Sequence, residues 1–378
     1  MKIGLDTRFY GTLQGGIGRY LTELVSALSL LNEAKIHEFY LFLKENEYNH
    51  FRPPAPNFIP VKADIPWYSL SEQLILTRKL KMVKPDFVHF PHWNVPLNYR
   101  EPYVLTVHDL LLLHYPSRRS SQLGPLKYAI KNLAFKKVLK SSITRARHII
   151  TPSIYTKEDV VKAFNIPEEK ISVINLGVTN LKQESPTSTN VLKKYGISKP
   201  FVLYVGVAFP HKNLEGLVAA WKLYQEKYGE QYELVLVGKN NFFYNRLFQE
   251  KVKNKVEGII FTDYVPDQEL TALYREAKLY VFPSFYEGFG LPPLEAMRFE
   301  LPVVSSHSTC LPEILKDAAF YFDPHEPQAI ASAIARGLSD NDLRTQLIEK
   351  SKQVLTLYNW QLTAKKTLDI YQRVTVDN

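Results

Sequence analysis

Glu287 and Glu295 stand eight residues apart and bracket Gly288-Phe289-Gly290-Leu291-Pro292-Pro293-Leu294, directly after the apolar run Leu279-Tyr280-Val281-Phe282-Pro283-Ser284. Ionised carboxylates only accept hydrogen bonds, so a spaced pair suits the hydroxyls of sugars. Glycine lets backbone come close to a ligand because no side chain holds it off. Proline is tolerated in the first turn of a helix, where its missing N–H would be unpaired anyway. Pro292 or Pro293 fits that position, which puts Glu287 in the loop and Glu295 in the first helical turn. N–H groups at a helix start face outward and attract anions. The stretch therefore reads as a site for a molecule carrying hydroxyls and phosphates together, and a sugar nucleotide meets that description.

Three other stretches could serve the same ligand. Gly15-Gly16-Ile17-Gly18 leads from a first strand into a helix. Such a loop can close on phosphate, although its glycine spacing is not that of the dinucleotide fingerprint, and a turn that lets the helix pack on its sheet explains it equally. Gly206-Val207-Ala208-Phe209-Pro210-His211-Lys212-Asn213 is a second strand-to-helix junction. A lysine at a helix start opposes the dipole unless an anion joins it, so Lys212 is either a phosphate ligand or a solvated surface residue. His108 ends the strand Tyr103-Val104-Leu105-Thr106-Val107. It could donate to a sugar hydroxyl, act as acid or base, or make a structural hydrogen bond. A bound metal is not expected. His89 and His92 flank a non-helical Phe90-Pro91, and no cysteine or carboxylate joins them at ligand spacing.

Elements must position these residues. Strands are expected at 2–7, 38–44, 57–63, 86–90, 103–108, 148–152 and 171–176, then at 201–207, 233–237, 258–262, 279–283, 302–305 and 319–322. Helical patterns lie between many of them, including 16–31, 70–83, 122–144, 213–228 and 291–299, and two more close the chain at 341–357 and 360–374. This alternation predicts α/β architecture with parallel sheets covered on both faces. A polar segment, 180–189, separates an N-terminal domain (1–180) from a C-terminal one (190–357), with 358–378 returning to complete the first. Two such domains facing each other would hold a ligand between the C-terminal edges of their strands.

Composition sets further limits. A chain of 378 residues is too long for one ordinary core. A single cysteine, Cys310, excludes an internal disulfide and suits a reducing compartment. No run is apolar for long enough to cross a bilayer, and the N-terminus lacks the apolar core of a signal peptide, so a cytoplasmic location is expected. The net charge of +9 calls for an anionic partner. Between Asp109 and Glu158 there is no acidic residue, while Arg118, Arg119, Lys127, Lys131, Lys136, Lys137, Lys140, Arg145 and Arg147 accumulate. Leu126, Ile130, Leu133, Ala134, Val138 and Leu139 recur at helical spacing there. The stretch 117–148 reads as a basic amphipathic helix, either a solvated face or a contact to an anionic membrane at its inner surface.

Tyr286-Glu287-Gly288-Phe289-Gly290-Leu291-Pro292-Pro293-Leu294-Glu295-Ala296 resembles the E-x7-E motif of retaining glycosyltransferase family 4, which has the GT-B fold. The resemblance extends to Gly15–Gly18, Thr106–Asp109, Gly206–Asn213, Val237–Lys239, Phe261–Pro266, Ser305-Ser306 and Leu311–Glu313. It implies two Rossmann-like domains facing a cleft and a nucleotide sugar held mainly by the second. Glu295 would take the ribose hydroxyls, and Lys212 with the N–H groups of Phe289, Gly290 and Leu291 would face the diphosphate and donor sugar. Glu287 would sit by the transferred sugar, Gly206 in the phosphate loop, and Gly16 where the first domain closes over phosphate. His108 would reach a sugar hydroxyl, and backbone at Tyr264 and Val265 would line the base pocket. The implied reaction is metal-independent transfer of a hexose, mannose from GDP-mannose being the guess, to a glycan or lipid-linked acceptor. Where relatives carry an arginine near this lysine, the chain has Val207 and His211. A clamp of Lys212 helped by His211 would make donor binding pH-sensitive.

Two other classes remain. A sugar-nucleotide epimerase or hydrolase would share the architecture. A nucleic-acid-binding protein would explain the basic charge, but aromatic residues are not interleaved with the cations as a stacking surface requires, so no nucleic acid is expected.

Overall fold

The computed structural model describes residues 1–11, 15–115, 125–179, 187–253 and 256–376. They divide into two compact units, one made of Met1–Gly177 with Tyr358–Asn378, the other of Val178–Leu357.

The first unit contains seven parallel strands: β1 (Lys2–Leu5), β2 (Glu38–Leu43), β3 (Phe58–Lys62), β4 (Phe87–Phe90), β5 (Tyr103–Thr106), β6 (His148–Thr151) and β7 (Ile171–Val173), in the order β3-β2-β1-β4-β5-β6-β7. In β2, Phe39, Leu41 and Leu43 are buried on one face and Phe42 on the other, as helices covering both sides of a parallel sheet require. The last helix, Trp360–Val376, belongs to this unit and packs against the helix Gly15–Ser29. Its Tyr371 hydroxyl meets His89 Nδ1 at 2.6 Å. A Cβ on Gly177 would lie 2.3 Å from the backbone nitrogen of Trp360, so only glycine admits this approach.

The second unit holds six parallel strands: β8 (Phe201–Val205), β9 (Glu233–Val237), β10 (Ile259–Asp263), β11 (Leu279–Phe282), β12 (Val303–Ser306) and β13 (Ala319–Phe322), ordered β10-β9-β8-β11-β12-β13. Helices Leu214–Tyr228 and Pro327–Ser339 pack together, with Trp221 fully buried.

Every strand expected from the sequence is present. Among the described residues the short α-helices Glu45–His50, Leu111–His114 and Ser188–Lys194 escaped it, because four to seven residues are too few to display a helical period. The pattern over 70–83 resolves into a π-turn, Glu72–Leu76, running into an α-helix, Thr77–Val83. Most of the polar segment 180–189 lies outside the described residues.

Candidate functional site

In an open parallel sheet, ligands bind beyond the C-terminal ends of the strands where the winding direction reverses. In the second unit that reversal lies between β8 and β11. The loop after β8 carries Gly206 to Lys212, and the loop after β11 carries Pro283 to Glu287. There Lys212 Nζ approaches Glu287 Oε1 to 2.7 Å, with both side chains more than four-fifths buried.

The two loops are fastened together. Asn213 Nδ2 donates to the carbonyls of Pro283 (3.1 Å) and Pro324 (2.7 Å), and the Phe285 N–H donates to the His211 carbonyl at 2.7 Å. Asn213 itself has a left-handed backbone (φ 57°), which asparagine tolerates better than most residues. Thr309 Oγ1 accepts from the Glu287 N–H at 3.1 Å, and Cys310 Sγ donates to the Glu287 carbonyl. Burial, then the charge of Lys212, push the His211 imidazole down to about 4. His211 is thus neutral from mildly acidic to neutral pH, and the pH-sensitive clamp expected of it has no titrating group in that range.

The helix after the motif is Leu291–Met297, with Pro292 and Pro293 in its opening turn. Gly290 caps it at φ 91°, and a Cβ there would come within 2.7 Å of Leu311 Cδ2. The helix starts at Leu291, as the pattern 291–299 predicts, and Glu295 is its fifth residue, just past the first turn where it was expected. It is buried, and its Oε2 accepts from the Tyr274 hydroxyl at 3.2 Å. Phe289 is buried and Leu291 partly so.

On the other side of β8, Gly206 accepts from the Tyr244 hydroxyl at 2.7 Å. A Cβ on Gly238 would lie 2.0 Å from the Gly206 carbonyl, so the loops after β8 and β9 can touch only because this residue is glycine. A crevice of about 100 Å³ opens beside them, lined by Gly238, Asn240, Tyr244, Phe261 and Asp263 among others. Asp263, left-handed at φ 63°, takes the N–H groups of Asn240 (2.6 Å) and Tyr264 (2.7 Å) on Oδ1. Tyr264 is half exposed, whereas Val265 is buried, so only the backbone of Val265 could line a pocket.

Gly16 and His108 belong to the first unit. Gly16 lies exposed in the opening turn of Gly15–Ser29. His108 follows β5 by two residues, edge-on to Tyr20 with centroids 4.8 Å apart. Burial, chiefly, holds it down to about 3, so it is a neutral hydrogen-bonding group rather than a proton carrier. Its Nε2 is buried without a partner among the described residues. The winding of this sheet reverses between β1 and β4. A charged cluster that sequence reading missed is buried there. Arg8 meets Asp6 (Nη2 to Oδ2, 2.8 Å) and Glu72 (Nη2 to Oε1, 2.7 Å), and all three are essentially inaccessible. Neighbouring charges of both signs in a low-dielectric setting mark such a cluster, but in a sequence each residue reads as surface.

The basic segment 117–148 contains the helix Pro125–Arg145, with residues 116–124 outside the described part. Leu139 and Ile143 are buried, but Leu133, expected in the apolar stripe, is 70% exposed. Among the described residues no group of three or more His, Cys, Asp or Glu side chains is placed to hold a metal ion. In the triplet Asp340-Asn341-Asp342, Asp340 caps the helix Asn341–Leu355 by accepting from the Leu343 N–H at 2.9 Å. Among the described residues no helix is long and apolar enough to cross a membrane.

Comparison with known proteins matches each unit to a glycosyltransferase family model. Residues 188–354 match the family described as glycosyl transferases group 1, and residues 14–179 match glycosyltransferase family 4. The chain is 30% identical over 376 residues to the O-antigen chain mannosyltransferase B of Escherichia coli, covering 94% of this chain and 96% of that one. It is 30% identical over 271 residues to the O-antigen chain mannosyltransferase RfbU of Salmonella typhimurium, covering 71% and 69%. Among solved structures, sucrose-phosphate synthase from Thermosynechococcus elongatus superposes over all of both chains with a TM-score of 0.77 at 22% identity. Anabaena Alr3699/HepE in complex with UDP and glucose gives 0.74 at 18% identity, covering 99% of this chain and 100% of that one.

Proposed function

The chain belongs to glycosyltransferase family 4 and has the GT-B fold, and on that footing we propose that it transfers mannose from GDP-mannose to a hydroxyl of a glycan or lipid-linked sugar, with retention at the anomeric carbon. The observation that carries this reading is the Lys212–Glu287 pair at the winding reversal of the second sheet. The mannosyltransferase names of the two bacterial relatives support the choice of sugar.

An ammonium has three donors, and Glu287 occupies one of them. The other two can meet phosphate oxygens, while the carboxylate fixes where the charge stands. The N–H groups of the Phe289–Leu291 loop and the Gly206 loop would complete the diphosphate site. Glu295 would accept from the ribose, and the crevice beside Asp263 and Tyr264 would take the base. The His108 Nε2, unpartnered among the described residues, could bond a sugar hydroxyl. As the bond from the anomeric carbon to the phosphate oxygen breaks, the acceptor oxygen attacks on the same face, and its proton passes to the departing phosphate. Lys212 lowers the barrier by balancing charge that grows on the diphosphate, an effect typically of about 3–4 kcal/mol per well-placed donor.

This chemistry asks nothing of a metal, and its setting would be the cytoplasmic face of a membrane. The test is incubation of the purified protein with GDP-, UDP-, dTDP- and ADP-sugars and an acceptor, followed by NMR of the product's anomeric configuration. An inverted product, or epimerised or free sugar formed without acceptor, would overturn the reading.

A further inference from the structure

The segment 70–84 presents its apolar residues outward. Leu70 is 84% exposed, Leu74 67%, Ile75 48% and Met82 76%, whereas Leu76 and Leu80 are fully buried on the opposite side. The π-turn contributes to this, because its wider winding directs Leu74 and Ile75 outward together. Interleaved with these residues are exposed cations, Arg78, Lys81 and Lys84. Lys81 pairs at 3.3 Å with Glu101, both side chains half exposed. The only acid within the segment, Glu72, is withdrawn into the interior by Arg8. The segment's own exposed side chains are therefore apolar or cationic, with Glu101 alongside Lys81.

That combination chooses among partners. Protein interfaces are depleted in lysine, particularly at their centres. Helices that lie in the plane of a bilayer combine leucine-type side chains with lysine and arginine, the apolar groups entering the acyl boundary and the cations meeting anionic headgroups. The basic helix Pro125–Arg145 stands nearby, since the rings of Tyr68 and Trp93 (5.4 Å) and of Trp93 and Phe135 (4.7 Å) touch in series. It exposes Leu133 beside Lys131, Lys136 and Lys137. We propose that the face bearing Leu70, Leu74, Ile75, Arg78, Lys81 and Met82 rests on an anionic lipid bilayer, with the basic helix as a secondary contact. The inference uses the first unit alone and does not depend on which sugar is moved.

The experiment is co-sedimentation of the purified full chain with phosphatidylglycerol or phosphatidylcholine vesicles, at low and raised salt. The wild type should bind the anionic vesicles, more weakly as salt rises, and not the zwitterionic ones. An Arg78→Gln/Lys81→Gln variant should bind roughly thirtyfold more weakly, at the usual contribution of a cation near an anionic surface. A Leu74→Ser/Ile75→Ser/Met82→Ser variant should stay in solution. These side chains are exposed, so urea midpoints should match the wild type, and transfer to a water-soluble acceptor should persist in both variants. Indifference of the wild type to lipid, equal binding by the variants, or lipid-independent self-association through this face would overturn the proposal. Vesicle binding without any sugar transfer would strike instead at the proposed reaction.

Discussion

Lys212 Nζ and Glu287 Oε1 stand 2.7 Å apart although 75 residues separate them. Adjacency of β8 and β11 creates the contact, and Asn213 with the Phe285 N–H keeps it in register. If the pair positions one charge against the diphosphate, Lys212→Ala lowers kcat by about a hundredfold or more. Glu287→Gln lowers it as well, and the double variant is little worse than the poorer single, because the two groups act as a unit. Initial rates at saturating donor measure this; losses that simply multiply would contradict it.

Glu295 is buried and takes a hydrogen bond from Tyr274. Glu295→Gln should weaken donor binding by about tenfold, in line with a hydrogen bond to a charged group. Tyr274→Phe should weaken it less and leave turnover unchanged. Calorimetric titration with the nucleoside diphosphate and separate determination of KM and kcat distinguish the two effects. An unaltered dissociation constant for Glu295→Gln would remove this residue from the site.

Acid should destabilise the first unit preferentially. Burial, the leading cause for each, holds His89 and His108 down to about 3, and His92 and His148 down to about 4. The unfolded chain takes up these protons near pH 6.5, before the folded one does. Stability is therefore fully present above that value and declines as pH falls toward 4, by up to about 2 kcal/mol per histidine at pH 5. Urea midpoints followed by a probe in the first unit should drop between pH 7 and 5, and equal midpoints would refute the assignment. Donor affinity should not follow this trend, because His211 is also neutral throughout that range.

Arg8→Met should cost about 3–5 kcal/mol of stability at neutral pH, since it leaves the buried Asp6 and Glu72 without their cation. Part of the loss should return in mild acid, where burial already favours the protonated form of Glu72. Thermal unfolding of the variant at two pH values decides this.

The strand periodicity and the Glu287–Glu295 spacing were readable because both are local. The partner of Lys212 was not, because sequence spacing says nothing about which strands become neighbours. Arg8, Asp6 and Glu72 went unnoticed since charged residues are presumed to be solvated. The pattern over 70–83 did not show that Leu70, Leu74 and Met82 meet solvent, because apolar periodicity indicates one face of a helix but not what that face meets.

The contact of Gly177 with Trp360, and of His89 with Tyr371, also bears on how the molecule is made. The hydroxyl that meets His89 is synthesised 282 residues after it. On the ribosome the second unit has every strand it needs while the first still lacks its final helix. The half of the protein that emerges earliest is thus the last to be completed.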